Sequence, residues 1–253
     1  MFTHAIVRTP CPEMIRGITT ASLGVPDHPR ALIQHGAYIE ALESLGLEVT
    51  VLAPDSRFPD STFVEDVALC TPRVAVITSP GEVTRRGEEK EMEGVLGLFY
   101  DRLETIQLPG TLEAGDVMMT GSHYYIGISG RTNREGATQL ISILEKYGMT
   151  GEAIELEGLL HLKTGVSYLE DDLLLMRREL ADHPAFRKFR KIQVPPEEAY
   201  AANSVWINGT VLVPSGFPQT RERIEHAGLK TILLDVSEFA KLEGGLSCLS
   251  LRF

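Results

Sequence analysis

Ser204-Val205-Trp206-Ile207-Asn208-Gly209-Thr210-Val211-Leu212-Val213 is a pair of β-rich runs around an Asn-Gly dipeptide. Such a turn takes positive φ at both positions and matches the twist of its flanking strands, so the stretch predicts a tight antiparallel hairpin. Asn208-Gly209-Thr210 also spells a glycosylation acceptor. It is read only as a turn, because the first residues, Met1-Phe2-Thr3-His4-Ala5-Ile6-Val7-Arg8, read as a strand and not as a secretory signal.

Working outward, the same pattern recurs. Runs at 64–70 and 74–78 are separated by a turn at Thr71-Pro72, runs at 117–120 and 124–128 flank Gly121-Ser122, and runs at 166–169 and 173–176 flank Asp171-Asp172. Helical spacing follows each hairpin, over 88–102, 132–147, 179–191 and 219–228, with a further strand after several of them, as at 230–236. Upstream lie an expected strand at 4–9, a helix at 30–45 stopped by Gly46, and a strand at 47–52. The unit is thus hairpin, helix, strand, given four times, and the chain ends inside a fifth. Pairing the C-terminal strand 246–253 with 4–9 completes that fifth hairpin.

Repeats of about 40 to 50 residues, none able to bury its faces alone, predict a propeller-like array. The expected fold class is α/β, a five-bladed α/β propeller of pseudo-symmetric hairpin-helix-strand repeats, forming one domain over 1–253. A doubly wound parallel sheet is the competing architecture, and tight hairpins between strands argue against it. The polar stretch 10–29 lacks periodicity over about 20 residues, longer than the usual connection, and is a candidate lid.

The chain of 253 residues is 43% hydrophobic with a net charge of −11. That charge disfavours nucleic acid and anionic membranes as partners and suits a cationic substrate, although acidic proteins of every function are common. No run approaches the roughly 18 apolar residues of a membrane span. Three cysteines, Cys11, Cys70 and Cys248, without metal-type spacing, argue against a disulfide framework or zinc site and for a reducing cytosol.

Chemistry-bearing residues gather where each hairpin begins. The first has Asp60 and Phe63-Val64-Glu65-Asp66, the second Glu113-Ala114-Gly115-Asp116, the third His161-Leu162-Lys163-Thr164-Gly165, the fourth Asn203, the fifth Gly244-Gly245-Leu246-Ser247-Cys248. Each has a plain reading alone. Glu65 and Asp66 serve as solvated strand-edge charges, Glu113 and Asp116 as turn residues, His161 as a core histidine, and Cys248 as a small buried hydrophobe. Pseudo-symmetry, however, puts these positions around one axis. A thiol nucleophile, a histidine to move protons and carboxylates to hold a cation form a coherent set, and paired glycines allow close backbone approach beside the thiol.

Phe63-Val64-Glu65-Asp66, Glu113-Ala114-Gly115-Asp116, Arg131-Thr132-Asn133, His161-Leu162-Lys163 and Gly244-Gly245-Leu246-Ser247-Cys248 closely resemble the dimethylarginine dimethylaminohydrolases of the guanidino-modifying superfamily, in order and over essentially the whole chain. The resemblance implies a five-bladed α/β propeller that hydrolyses N-methylated arginines to citrulline and a methylamine, with no metal or organic cofactor. It implies Cys248 as nucleophile, His161 as general acid and base, and Asp66 and Glu113 as carboxylates on the guanidinium. Arg85 and Arg131 match positions that bind the substrate's α-carboxylate. Asp60, Glu65, Ile18 and Leu242 match further substrate contacts, the last two through backbone groups. Deiminases and amidinotransferases of the superfamily carry an aspartate two residues after the histidine. Here that position is Lys163, which fits a substrate whose methylated nitrogen cannot donate hydrogen bonds. The implied partner is a small cationic amino acid, and a homodimer is an open expectation. Two rivals stand beside this reading: a deiminase or ureido hydrolase on the same scaffold, and a non-catalytic amino-acid-binding propeller.

Overall fold

The computed structural model describes residues 1–253. In chain order the elements are β1 (His4–Arg8), α1 (His28–Ser44), β2 (Glu48–Leu52), β3 (Ala68–Cys70), β4 (Ala75–Ile77), α2 (Glu89–Leu96) and β5 (Leu103–Thr105). Then come β6 (Val117–Thr120), β7 (His123–Ile128), α3 (Arg134–Lys146), β8 (Thr150–Glu155), β9 (Val166–Tyr168), β10 (Leu173–Met176) and β11 (Arg190–Gln193). The chain closes with β12 (Val205–Ile207), β13 (Thr210–Pro214), α4 (Pro218–His226), β14 (Lys230–Leu234), α5 (Ser237–Ala240) and β15 (Leu251–Arg252).

The strands make five three-stranded sheets, ordered β3-β4-β5, β6-β7-β8, β9-β10-β11, β12-β13-β14 and β15-β1-β2. Every sheet repeats one rule: the first two strands run antiparallel and the third joins parallel to the second. A parallel return needs a crossover, which is why a helix sits between the second and third strands of four sheets. These five units are the blades of an α/β propeller. The fifth joins opposite ends of the chain as expected, Ile6 pairing with Leu251 and Phe253 N–H donating to the His4 carbonyl at 3.1 Å.

The Asn-Gly turn has φ of 48° at Asn208 and 91° at Gly209. The Asn208 side chain accepts from Phe2 N–H at 2.8 Å and donates to the carbonyls of Phe2 and Leu45, so the turn also anchors the start of β1.

Two expectations need correction. The stretch 179–191 is not a helix; it holds two single 3-10 turns, Arg178–Leu180 and Pro184–Phe186, and then β11. Pro184 cannot continue a helix begun before it, and Leu180, Ala181, Phe186 and Phe189 are buried without sharing one helical face. The expected strands 64–70 and 246–253 each begin with a 3-10 turn, Val64–Val67 and Ser247–Leu249, and only their distal parts are strand.

Two compact units make up the chain: Met1–Val64 with Gly165–Phe253, and Glu65–Thr164. The first has its main core around Val7, Tyr38, Leu42, Phe63, Phe239 and Leu249. The second packs Val76, Val117, Tyr124, Ile126, Leu140 and Leu144. Leu140 and Leu144, one helical turn apart on α3, are fully buried, each worth about 2 kcal/mol against exposure. The amide of Asn133 caps this helix by accepting from Gly136 N–H at 2.8 Å. No helix is long and apolar enough to cross a membrane.

Candidate active site

A 3-10 turn precedes the first strand of every sheet: Val64–Val67, Ala114–Asp116, Leu162–Thr164, Pro196–Ala202 and Ser247–Leu249. Glu65, Asp66, Glu113, Asp116, His161, Lys163, Asn203 and Cys248 sit on or beside these turns, whereas Arg85 lies on a separate one, Val83–Arg85. A single tight turn at a strand's start holds side chains at a fixed angle, and its backbone amides remain available as donors.

In the Glu65–Thr164 unit, three turns bring Asp66, Glu113 and His161 together, with one oxygen or nitrogen of each lying within 4.8 Å of the others. Nε2 of His161 is 2.8 Å from Oε2 of Glu113. Asp66 Oδ2 accepts from Arg85 Nη1 at 2.6 Å, and its Oδ1 accepts from Gly115 N–H at 3.2 Å. Asp116 is fully buried and ties the histidine turn in place: its Oδ1 accepts from Leu162 N–H at 2.9 Å and its Oδ2 from Ser129 Oγ at 2.6 Å. Gly115 is required by crowding, since a Cβ there would stand 2.7 Å from Asp66 Oδ1 and 2.8 Å from His161 Nδ1.

Burial of His161 opposes its charged form, yet the Asp66 carboxylate, the Glu113 hydrogen bond and Asp116 outweigh burial and raise its pKa to about 9. Burial acts the other way on Glu113, and the His161 contact overrides it, holding that carboxyl below its usual range. Asp116 is pushed up by burial. The surrounding carboxylates therefore favour the protonated imidazole. The same cluster has the donor set of a small cation site, but its atoms already engage Arg85 and one another, and its spacing also suits the N–H groups of a guanidinium.

Arg85 is buried, bonding Asp66 on one side and Glu88 on the other, where Nη2 meets Oε2 at 2.7 Å. Arg131 lies nearer the surface, with Nη1 3.0 Å from Glu82 Oε2 and 3.7 Å from Glu113 Oε1. Glu65 pairs with Lys163 at 2.6 Å. Glu82 and Glu88 escaped the sequence reading. Glu88 stands three residues after Arg85, a spacing that could have flagged it.

The other unit gathers Ile18, Asp60 and Leu242. Ile18 N–H donates to both oxygens of Asp60, at 3.1 and 3.2 Å, and a Cβ on Gly17 would press against Asp60 and Leu242. The candidate lid 10–29 is fastened here: Thr20 donates through N–H and hydroxyl to Glu243, and Asp27 N–H donates to Glu238 at 2.7 Å.

Cys248 is buried on the Ser247–Leu249 turn, and its sulfur accepts from Gly245 N–H at 3.4 Å. Asn203 braces this turn, its Oδ1 accepting from Ser247 N–H at 2.9 Å and its Nδ2 donating to Ser247 Oγ at 3.0 Å. The paired glycines serve close approach: a Cβ would meet the Phe63 ring at 2.1 Å from Gly244 and the Asn203 amide at 2.4 Å from Gly245. Asp66, Glu113, His161, Arg85, Arg131 and Glu65 thus form one group, in the unit that lacks Cys248, Ile18, Asp60 and Leu242.

No protein-family model matches the chain. It is 52% identical over 254 aligned residues to the N(G),N(G)-dimethylarginine dimethylaminohydrolase of Pseudomonas aeruginosa, covering 100% of both chains. Among solved structures, it matches a cysteine-to-serine variant of that organism's enzyme complexed with citrulline, with TM-score 0.99 and 51% identity over 100% of both chains. It is equally similar to a histidine-to-glycine variant of a dimethylarginine dimethylaminohydrolase in adduct with S-methyl-L-thiocitrulline, at TM-score 0.99, 51% identity and full coverage of both chains. By that full-length identity, the chain belongs to the dimethylarginine dimethylaminohydrolase family.

Proposed function

We propose that the chain hydrolyses N-methylated arginines to citrulline and dimethylamine or methylamine through a covalent cysteine intermediate. The observation that carries this reading is the buried set of Asp66, Glu113 and His161, two carboxylates and an imidazole with one polar atom of each within 4.8 Å of the others. A guanidinium carbon is a poor electrophile because its charge is spread over three nitrogens. Asp66 and Glu113 accept its N–H groups and hold the carbon in place, charge-assisted bonds that fix orientation. The Cys248 thiolate forms a bond to that carbon. The carbon–nitrogen bond to dimethylamine then breaks as His161 gives the departing nitrogen its proton, leaving a thiouronium on sulfur. His161 next takes a proton from water, which adds to the same carbon; citrulline leaves and the thiolate returns.

Arg131 and Arg85 are cations for the α-carboxylate, Arg85 also bracing Asp66. Asp60, Glu65 and the backbones of Ile18 and Leu242 contact the remainder of the amino acid. The 253 residues act as one catalytic domain, cytoplasmic, on a small cationic amino acid, without nucleic acid or membrane and with a homodimer as the assembly to test.

The deciding assay incubates the protein with asymmetric dimethylarginine and with arginine in parallel, measuring citrulline, dimethylamine and ammonia. Citrulline equimolar with dimethylamine, lost in Cys248→Ser with the circular dichroism unchanged, is the expected result. Equal or faster citrulline release from arginine would assign a deiminase instead. Binding of methylarginine without product would leave an amino-acid-binding protein.

A further inference from the structure

Glu65 is the first residue of the Glu65–Thr164 unit, and Lys163 stands one residue before its end. Their 2.6 Å ion pair joins the Val64–Val67 turn, which carries Asp66, to the Leu162–Thr164 turn, which follows His161. The same two turns are also linked through Ala114–Asp116, by Gly115 N–H to Asp66 and Leu162 N–H to Asp116. Those links are backbone-to-carboxylate bonds that run through a third turn, whereas the Lys163 pair is a direct clasp between the two. An exposed ion pair would contribute little. Here the side chains are 15% and 4% exposed, so the pair is made largely away from bulk water, where it is screened less.

We propose that Lys163 is a positioning residue for the reaction: by pairing with Glu65 it fixes the Asp66 turn against the His161 turn, and so sets where the acid His161 stands relative to a guanidinium held by Asp66. This rests on the methylarginine hydrolase reading given above. Lys163 itself need not touch the substrate.

The chemistry supplies a test that separates positioning of the acid from loss of folded protein. Dimethylamine must be protonated to leave, whereas the methanethiolate of S-methyl-L-thiocitrulline departs without an acid. Because His161 also activates water in the second step, the readout is the first-turnover rate of amine or methanethiol release, which Lys163→Met is expected to lower at least about tenfold with asymmetric dimethylarginine and less than about threefold with S-methyl-L-thiocitrulline. Lys163→Arg should restore the first activity to within about threefold of the natural protein. In a Glu65→Gln background, adding Lys163→Met should cost less than about twofold more, because the residues act as one unit. Equal losses on the two substrates would overturn the proposal, as would independent, multiplying losses at the two positions. Should Lys163→Met not fold, the double variant, which carries neither charge, is compared with the natural protein on both substrates and judged by the same ratio. A natural protein that releases no dimethylamine would instead refute the hydrolase reading itself.

Discussion

Gly115 offers a sharp test of the site. An alanine Cβ there would stand 2.7 Å from Asp66 Oδ1 and 2.8 Å from His161 Nδ1, against the 3.4 Å at which ordinary contact begins. The carboxylate would have to retreat by about 0.7 Å and the ring by about 0.6 Å, in surroundings packed too tightly to absorb either move freely. Gly115 does not occupy the left-handed region, so alanine meets no backbone penalty and the effect is steric. Displacements approaching 1 Å between reacting groups cost about a hundredfold, or about 3 kcal/mol of barrier. Gly115→Ala is therefore expected to lower kcat for asymmetric dimethylarginine by about 30- to 100-fold, with melting changed by only a few degrees. Steady-state kinetics and a thermal melt on the same preparation decide it. Activity within twofold of the natural protein would show that Asp66 and His161 need not be held so closely, and the argument would fail.

His161 has its folded pKa raised from 6.5 to about 9. Stability from its charged pairing is therefore complete below about pH 6.5 and is lost as pH rises through about 9, by about 3 kcal/mol at most; urea melts at pH 6 and pH 10 should show the fall, and a flat profile would contradict it. The alkaline limb of kcat should decline over the same range, as the acid loses its proton. Arg85→Ala leaves Asp66 and Glu88 buried without the cation between them, so a loss of about 3–5 kcal/mol is expected in denaturant melts. An unchanged midpoint would mean that the two carboxylates find other partners.

Much of the architecture was legible because the hairpins carry their own punctuation. Asn208-Gly209 and Gly121-Ser122 sit between runs that proved to be strands, and the repeating order led to the β15-β1 pairing. What the sequence hid were the short turns before each sheet. Val64 and Val67 favour strands, yet they lie in a 3-10 turn, because the chain must aim Glu65 and Asp66 before it enters β3. The stretch 179–191 misled for a related reason: its apolar residues are buried by two short 3-10 turns, and Pro184 was the stronger signal. Residue types around the site were visible, but their partners were not. Nothing in the spacing joins Glu65 to Lys163, or Asp116 to Leu162, because those contacts arise from tertiary placement of separate repeats.

Four of the five sheets draw their strands from one local stretch of chain, while the sheet ordered β15-β1-β2 joins strands from opposite ends. Closing so long a loop carries a larger entropic cost than forming any local hairpin, and distant pairings form slowly. Cys248 lies on the turn that leads into that late-closing strand. If the local sheets assemble first, the segment bearing Cys248 is the last part of the fold to be tied into a sheet.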